Sequence, residues 1–344
     1  MAERWLRRTG SAKRGFRYAD AGRVVRDAAT LRRIDALRVP PAWREVHIAP
    51  DARRSIQAWG FDARGRKQYR YNEKAVRTRE LRKYHRVRQL AKTLPQIRRS
   101  LREQTRRPRL SRDTVSAIAL RLISESLFRP GAEKYLRENG SYGLTTLRKR
   151  HLRLEPGRAI FSYAGKSSKR QRQMLTNPEL LRLLARLQRV PGERLFRYED
   201  SEGRWCDLDA RALIEYVREH VGPFAVKDFR TWGGTLRAAT VLAELGAPKS
   251  DSEAKRNVAI AMRIVASELG NTPAVCRSAY VHPMVLARYL DAGETIRLAP
   301  TRRITRGGAD AFAHSAEERA LIAFLDRHFP ERRRKPRVPL ATAA

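Results

Sequence analysis

At 344 residues the chain is long enough for two domains and a well-buried core, and it holds no apolar stretch approaching a membrane span. With 74 Lys plus Arg against 36 Asp plus Glu, its formal net charge is +38. Such an excess repels itself unless a polyanion is nearby, and it draws a protein to nucleic acid through counterion release. The start, 1–17, is basic and lacks the apolar run of a secretory signal. Cys206 and Cys276 stand far apart, without metal-site spacing, and no disulfide framework is expected; a cytoplasmic location follows, at the nucleoid if the polyanion is DNA.

In chain order, "WREVHIAP" (43–50) and "RKQYRYN" (66–72) read as strands, and 52–65 between them reads as a short helix with a Gly-bounded turn. The charged stretch 74–107 carries Leu81, Tyr84, Val87, Leu90, Leu94 and Ile97 at helical spacing and reads as a connecting helix plus linker. Val115, Ile118, Ala119, Leu122 and Ile123 form an apolar helix face, with Pro130 and Gly131 expected to stop that helix just after Arg129. Strands at 145–154 and 158–165 flank Glu155-Pro156-Gly157 as a hairpin. Helices are expected at 177–188, 208–220, 231–245, 251–269 and 284–292, then a flexible basic tail at 331–344. The domain reading is 1–80 β-rich, 81–107 connecting, and 108–330 mainly helical: an α+β chain.

Breaking a phosphodiester without metal or nucleotide needs a nucleophile, cations for the transition-state charge, and an acid for the departing oxygen. The sequence shows no metal cluster, P-loop or GxSxG elbow, so the search narrows to tyrosine, arginine and lysine. Tyr280 is expected about two turns into a helix that opens at Thr272-Pro273 and breaks at His282-Pro283. A phenol has an ordinary pKa of about 10 and needs cationic neighbours to attack at neutral pH. Arg129 ends its helix at a Pro-Gly corner, Arg230 lies in "VKDFRTWGGT" (226–235), and Lys166 follows the hairpin. Taken singly, Tyr280 reads as a core tyrosine and the arginines as ordinary surface residues, while the lysine reads as a solvated one as readily as a delivered acid.

Together, "GRKQYRY" (65–71), "FRPGAEKYLRENGSYGLTTLRKRH" (128–151), "YAGKSSK" (163–169), "KDFRTWGG" (227–234), "LGNTPA" (269–274) and "SAYVHP" (278–283) resemble, in order, the type IB DNA topoisomerases of the compact poxvirus and bacterial form. The resemblance implies a small β-rich N-terminal domain and a mainly helical catalytic domain of the tyrosine recombinase and topoisomerase IB type, a monomer clamped around duplex DNA. No cofactor or metal is implied. It makes Tyr280 the nucleophile, Arg129 and Arg230 the clamp on the nonbridging oxygens, and Lys166 the general acid. Asn271 falls where the family often has histidine; it donates a neutral hydrogen bond but cannot titrate. Gln68, Tyr69, Tyr71 and Tyr135 match family DNA contacts. A strand puts Tyr69 and Tyr71 on one face and Gln68 on the other, so either a bend or contacts from both sides is required, and strand packing is the competing account of the tyrosines. Two rivals remain open: a tyrosine recombinase, which usually has His-x-x-Arg where this chain has Lys227 to Arg230, and a non-catalytic nucleoid protein, which explains the charge alone.

Overall fold

The structure is a computed structural model that describes residues 4–298 and 312–329; the tail expected at 331–344 lies outside them. The chain divides into two compact units, Met1–Lys83 and Tyr84–Ala344. None of the helices among the described residues is long and apolar enough to cross a membrane.

The first unit is a six-stranded antiparallel sheet with one helix. Its elements are β1 (Leu6–Ser11), β2 (Gly15–Asp20), β3 (Arg23–Val24), α1 (Ala28–Ala36), β4 (Arg44–Ile48), β5 (Ile56–Phe61) and β6 (Lys67–Tyr71). The order across the sheet is β3-β2-β1-β4-β5-β6. Leu6, Ile34, Val46, Ile48 and Ala58 form its small core. The short helix expected within 52–65 is instead β5. Pairing with strands on both sides outweighs local propensity there. Gly60 sits inside that strand because a Cβ would come within 3.0 Å of the Arg44 carbonyl oxygen and Val46 Cγ2.

The second unit takes in most of α2 (Glu73–Thr105), then α3 (Arg112–Ser126), α4 (Glu133–Asn139), β7 (Leu152–Glu155), β8 (Arg158–Ala164), β9 (Arg170–Leu175) and α5 (Pro178–Arg189). There follow β10 (Arg197–Glu199), β11 (Trp205–Asp207), α6 (Ala210–His220), α7 (Val226–Leu245), α8 (Asp251–Leu269), α9 (Pro273–Ala279), α10 (Pro283–Ala292) and α11 (Ala316–His328). Expected helix and linker are one continuous helix, α2, which crosses the division between the units. Val87, Leu90, Leu94 and Ile97 lie in the core of the second unit, while Leu81 is exposed. Pro95 sits inside α2 and cannot donate to the Ala91 carbonyl four residues back. The imidazole of His314 donates there instead, Nε2 to oxygen 2.7 Å.

Two more boundaries differ from expectation. α3 stops at Ser126, because Leu127 turns left-handed (φ 56) and bonds back to Ile123; Pro130 comes too late to stop it. The hairpin around Pro156-Gly157 is real, with Glu155 opposite Arg158, but its first strand starts only at Leu152 after two short 3₁₀ turns. A third strand, β9, completes that sheet. Its outward arginines alternate with glutamines, a pattern of period two that carries few apolar residues.

Candidate active site

Four backbone corners of the second unit meet at one place. The first is the stretch after α3. Gly131 and Gly143 touch backbone to backbone there, since a Cβ on Gly143 would fall 2.4 Å from Gly131 Cα. Leu144 N–H donates to Arg129 O and Thr145 N–H to Pro130 O, both at 2.8 Å. Tyr142 N–H donates to Ala164 O at 2.8 Å, which ties the same corner to the end of β8. Lys166 follows two residues later, exposed on a 3₁₀ turn, Lys166–Ser168.

The second corner is the first turns of α7, which opens at Val226 rather than at 231, so Lys227 and Arg230 stand one turn apart on one face. Asp228, buried, anchors that end: it accepts from Ala225 N–H at 2.8 Å and pairs with Arg86 at 2.5 Å. Arg230 is only 2% exposed. Its guanidinium donates to two carbonyls at helix ends, Leu127 O and Leu269 O, the latter at 3.0 Å. Nε of Arg230 is buried without a hydrogen-bond partner. Burial draws the Arg230 pKa down, and the Tyr280 phenol works in the opposite direction.

The third corner is the end of α8. Gly270 is left-handed (φ 63), as a helix C-cap requires. Arg129 donates to Gly270 O at 2.9 Å and to Asn271 Oδ1, so this corner holds one arginine while Leu269 holds the other.

The fourth corner carries Tyr280. It was expected two turns into a helix; α9 instead closes at Ala279, and Tyr280 is its C-cap residue (φ −129). A seven-residue helix runs out before the tyrosine, because His282-Pro283 already starts the next one. Thr235 on α7 latches this segment: its Oγ1 accepts from His282 N–H at 3.0 Å. Gly234 lets α7 approach closely, since a Cβ there would fall 2.9 Å from Tyr280 O. The half-buried Tyr280 ring has Arg230 Cζ 5.2 Å and Lys227 Nζ 4.9 Å from its centroid.

Arg129, Arg230 and Lys166 line one pocket of about 10 Å³, with Gln171, Gln173 and Tyr163 among its other walls. That is room for one water-sized group. Burial pushes the Tyr163 hydroxyl up to about 12 against the pull of both arginines. Neither Arg129 nor Arg230 has a carboxylate partner among the described residues; neutral oxygens orient both. The arrangement is a positive well beside a tyrosine. It suits an anion whose charge rises during reaction.

Of the residues expected here, Arg129, Arg230 and Lys166 line the pocket, Asn271 bonds to Arg129 and Tyr280 lies against Arg230. Tyr135 is on α4, 57% exposed, and does not line the pocket. Gln68, Tyr69 and Tyr71 belong to β6 of the first unit. The two tyrosines stack with ring centroids 5.9 Å apart on an exposed face, while Gln68 donates to Asp62 Oδ2 at 2.9 Å from the other. The pleat of β6 is unbroken; the one bulge nearby lies opposite, between Ile56 and Ala58. Lys227, Gln171 and Gln173 were missed as neighbours of the site. The alternation in "RQRQ" (170–173) was the available signal for the glutamines, and the three-residue spacing to Arg230 for the lysine.

Residues 67–300 match the family "Eukaryotic DNA topoisomerase I, catalytic core", and 15–62 match "Bacterial DNA topoisomerase IB, N-terminal domain". DNA topoisomerase 1B of Acanthamoeba polyphaga mimivirus is 34% identical over 267 residues, 75% of this chain and 80% of that protein. The chain belongs to the type IB DNA topoisomerase family. A more distant member, DNA topoisomerase 1B of Vaccinia virus (strain Copenhagen), is 23% identical over 67% of this chain and 72% of its own length. A solved post-cleavage complex of the XerH site-specific recombinase with a palindromic difH substrate overlaps 57% of this chain and 50% of that one, at 15% identity and a TM-score of 0.37. Family membership makes the chain an enzyme of the isomerase class with an α+β fold, a small N-terminal sheet and a mostly helical remainder.

Proposed function

We propose that this enzyme relaxes supercoiled duplex DNA by cutting one strand and resealing it, with Tyr280 as the attacking group. The Tyr280 oxygen bonds to phosphorus, the bond from phosphorus to the 5′-oxygen breaks, and the strand is left joined through a 3′-phosphotyrosyl link. Arg129 and Arg230 hold the nonbridging oxygens, and the phenol proton leaves to water, a loss that the charge on Arg129 favours. Asn271 adds a neutral donor. Lys166 gives its proton to the departing 5′-oxygen. Resealing is the reverse, so no nucleotide is needed to restore the bond. Torsion in the DNA drives rotation of the free end.

The observation that carries this reading is the pair of arginines lining one pocket, oriented entirely by neutral oxygens, with Arg230 against the Tyr280 ring. Their positive charge is not cancelled locally and is available to a phosphate. A monomer holding DNA is proposed, with Tyr69, Tyr71 and Gln68 of the β-rich domain and Tyr135 of the catalytic domain against the duplex. The domains proposed are 1–80, the connecting 81–107 and the catalytic 108–330, and the setting is nucleoid DNA in the cytoplasm. Phosphate contacts give grip without sequence choice, which rotation requires.

The test is supercoiled plasmid with EDTA and without ATP. Wild type changes the linking number and Tyr280→Phe does not. Equal relaxation by the variant would remove Tyr280 from its role.

A further inference from the structure

Two glycines stand directly before residues assigned a role: Gly165, which lines the pocket, before Lys166, and Gly270, next to the lining residue Leu269, before Asn271. The left-handed backbone at Gly270 explains that glycine. Gly165 has φ −90, which any residue adopts, so its lack of a side chain calls for another cause. The cause is Gln171. A Cβ on Gly165 would fall 2.6 Å from Gln171 Cγ, and one on Gly270 would fall 2.2 Å from Gln171 Oε1. The carboxamide therefore lies against both glycines, filling the space that two side chains would take.

The strand pairing fixes its direction. Gln171 stands opposite Tyr163 across β8 and β9, and both line the pocket, whereas Arg170 and Arg172 alternate to the far face of the sheet. Gly165 N–H donates to Lys169 O at 2.8 Å, so the turn holding Lys166 is closed on the strand that carries Gln171.

We propose that Gln171 is a positioning residue: it spans from Gly165 to Gly270 and fixes Lys166 relative to Asn271 and to the Arg129 bonded at that corner. This rests on the reading of Lys166 as the acid. Without the span, Lys166 is held only through its strand ends, while the arginines keep their own carbonyl anchors. The loss should fall on proton delivery and leave DNA binding unchanged.

The experiment measures single-turnover strand cleavage by the full chain on two duplexes, one with the normal 5′-oxygen and one with sulfur in its place. A thiolate leaves without an acid. Lys166→Ala is slow on oxygen and restored on sulfur. Gln171→Ala is slowed on the order of tenfold on oxygen, as expected when about half an ångström is lost and a full ångström costs about a hundredfold. It too is restored on sulfur, with DNA affinity unchanged. Gly165→Ala, with Gln171 present, shows the same pattern, because its Cβ displaces the carboxamide; the double variant is no slower than the slower single one. Equal slowing of Gln171→Ala on both duplexes, or none, overturns the proposal. Lack of sulfur rescue in Lys166→Ala itself removes the acid assignment, and the proposal falls with it, a failure distinct from one confined to Gln171.

Discussion

Gly234→Ala tests whether the α7 backbone sets the position of the nucleophile. The added Cβ would sit 2.9 Å from Tyr280 O and 3.1 Å from Leu269 Cδ1, while ordinary contact begins at 3.4 Å. The carbonyl is backbone, so it must move by about half an ångström rather than rotate away. Helix propensity favours alanine by about 1 kcal/mol, and overpacking costs about 1–3 kcal/mol. Net destabilisation is therefore about 0–2 kcal/mol. Catalysis is more sensitive: a misplacement of about 1 Å costs about a hundredfold, so half that costs about tenfold. Thermal unfolding and single-turnover cleavage of a short duplex read the two effects separately. The variant should melt near wild type and cut about tenfold more slowly. A variant that cuts at the wild-type rate would show that α7 does not hold Tyr280 in register.

Three further outcomes follow from the second unit. His314→Ala leaves the Ala91 carbonyl without its donor and should lower unfolding free energy by about 1–3 kcal/mol, read by urea denaturation. Glu318 accepts from Arg98 at 2.6 and 3.0 Å and from Ser315 N–H at 3.0 Å. Burial raises its pKa, but those bonds outweigh burial and hold the carboxyl below its ordinary value. Its contribution is thus full above the unfolded value of about 4.3 and is lost as pH falls through the lower folded value. Glu318→Gln should cost about 1–3 kcal/mol at neutral pH, with the gap to wild type closing under acid. Cys276 is fully buried and its thiol is pushed up to about 11, while Cys206 is partly exposed. A thiol reagent at about pH 8 should modify one cysteine per native chain and both after unfolding.

Sequence reading reached the family and the fold class, and erred in the placement of single elements. Tyr280, Arg129, Lys166, Arg230 and Asn271 stand in short motifs whose order resembles a known family, and motif order survives errors in the placement of elements. Secondary structure suffered where tertiary pairing decides. The segment around Ile56 looked helical, yet β4 and β6 flank it on both sides. The stop of α3 was assigned to Pro130, but Leu127 already leaves the helix, its side chain packed against Gly233 on α7, where a Cβ would fall 2.3 Å from Leu127 Cδ2. No local pattern announces a leucine in a left-handed conformation. The role of Gly165 was equally hidden, since it depends on a glutamine six residues on.

The end of α8 has an implication for how this enzyme tolerates change. Leu269 and Gly270 reach the arginines through main-chain oxygens, which every amino acid possesses. Side-chain scanning across them would report apolar packing and helix termination, and would miss their part in aiming the cations. Drift at Leu269 among aliphatic residues would leave that aim untouched, whereas inserting a single residue in α8 just before Leu269 would turn both carbonyls away at once. What this stretch preserves is spacing, and deletion or insertion is the perturbation that exposes it.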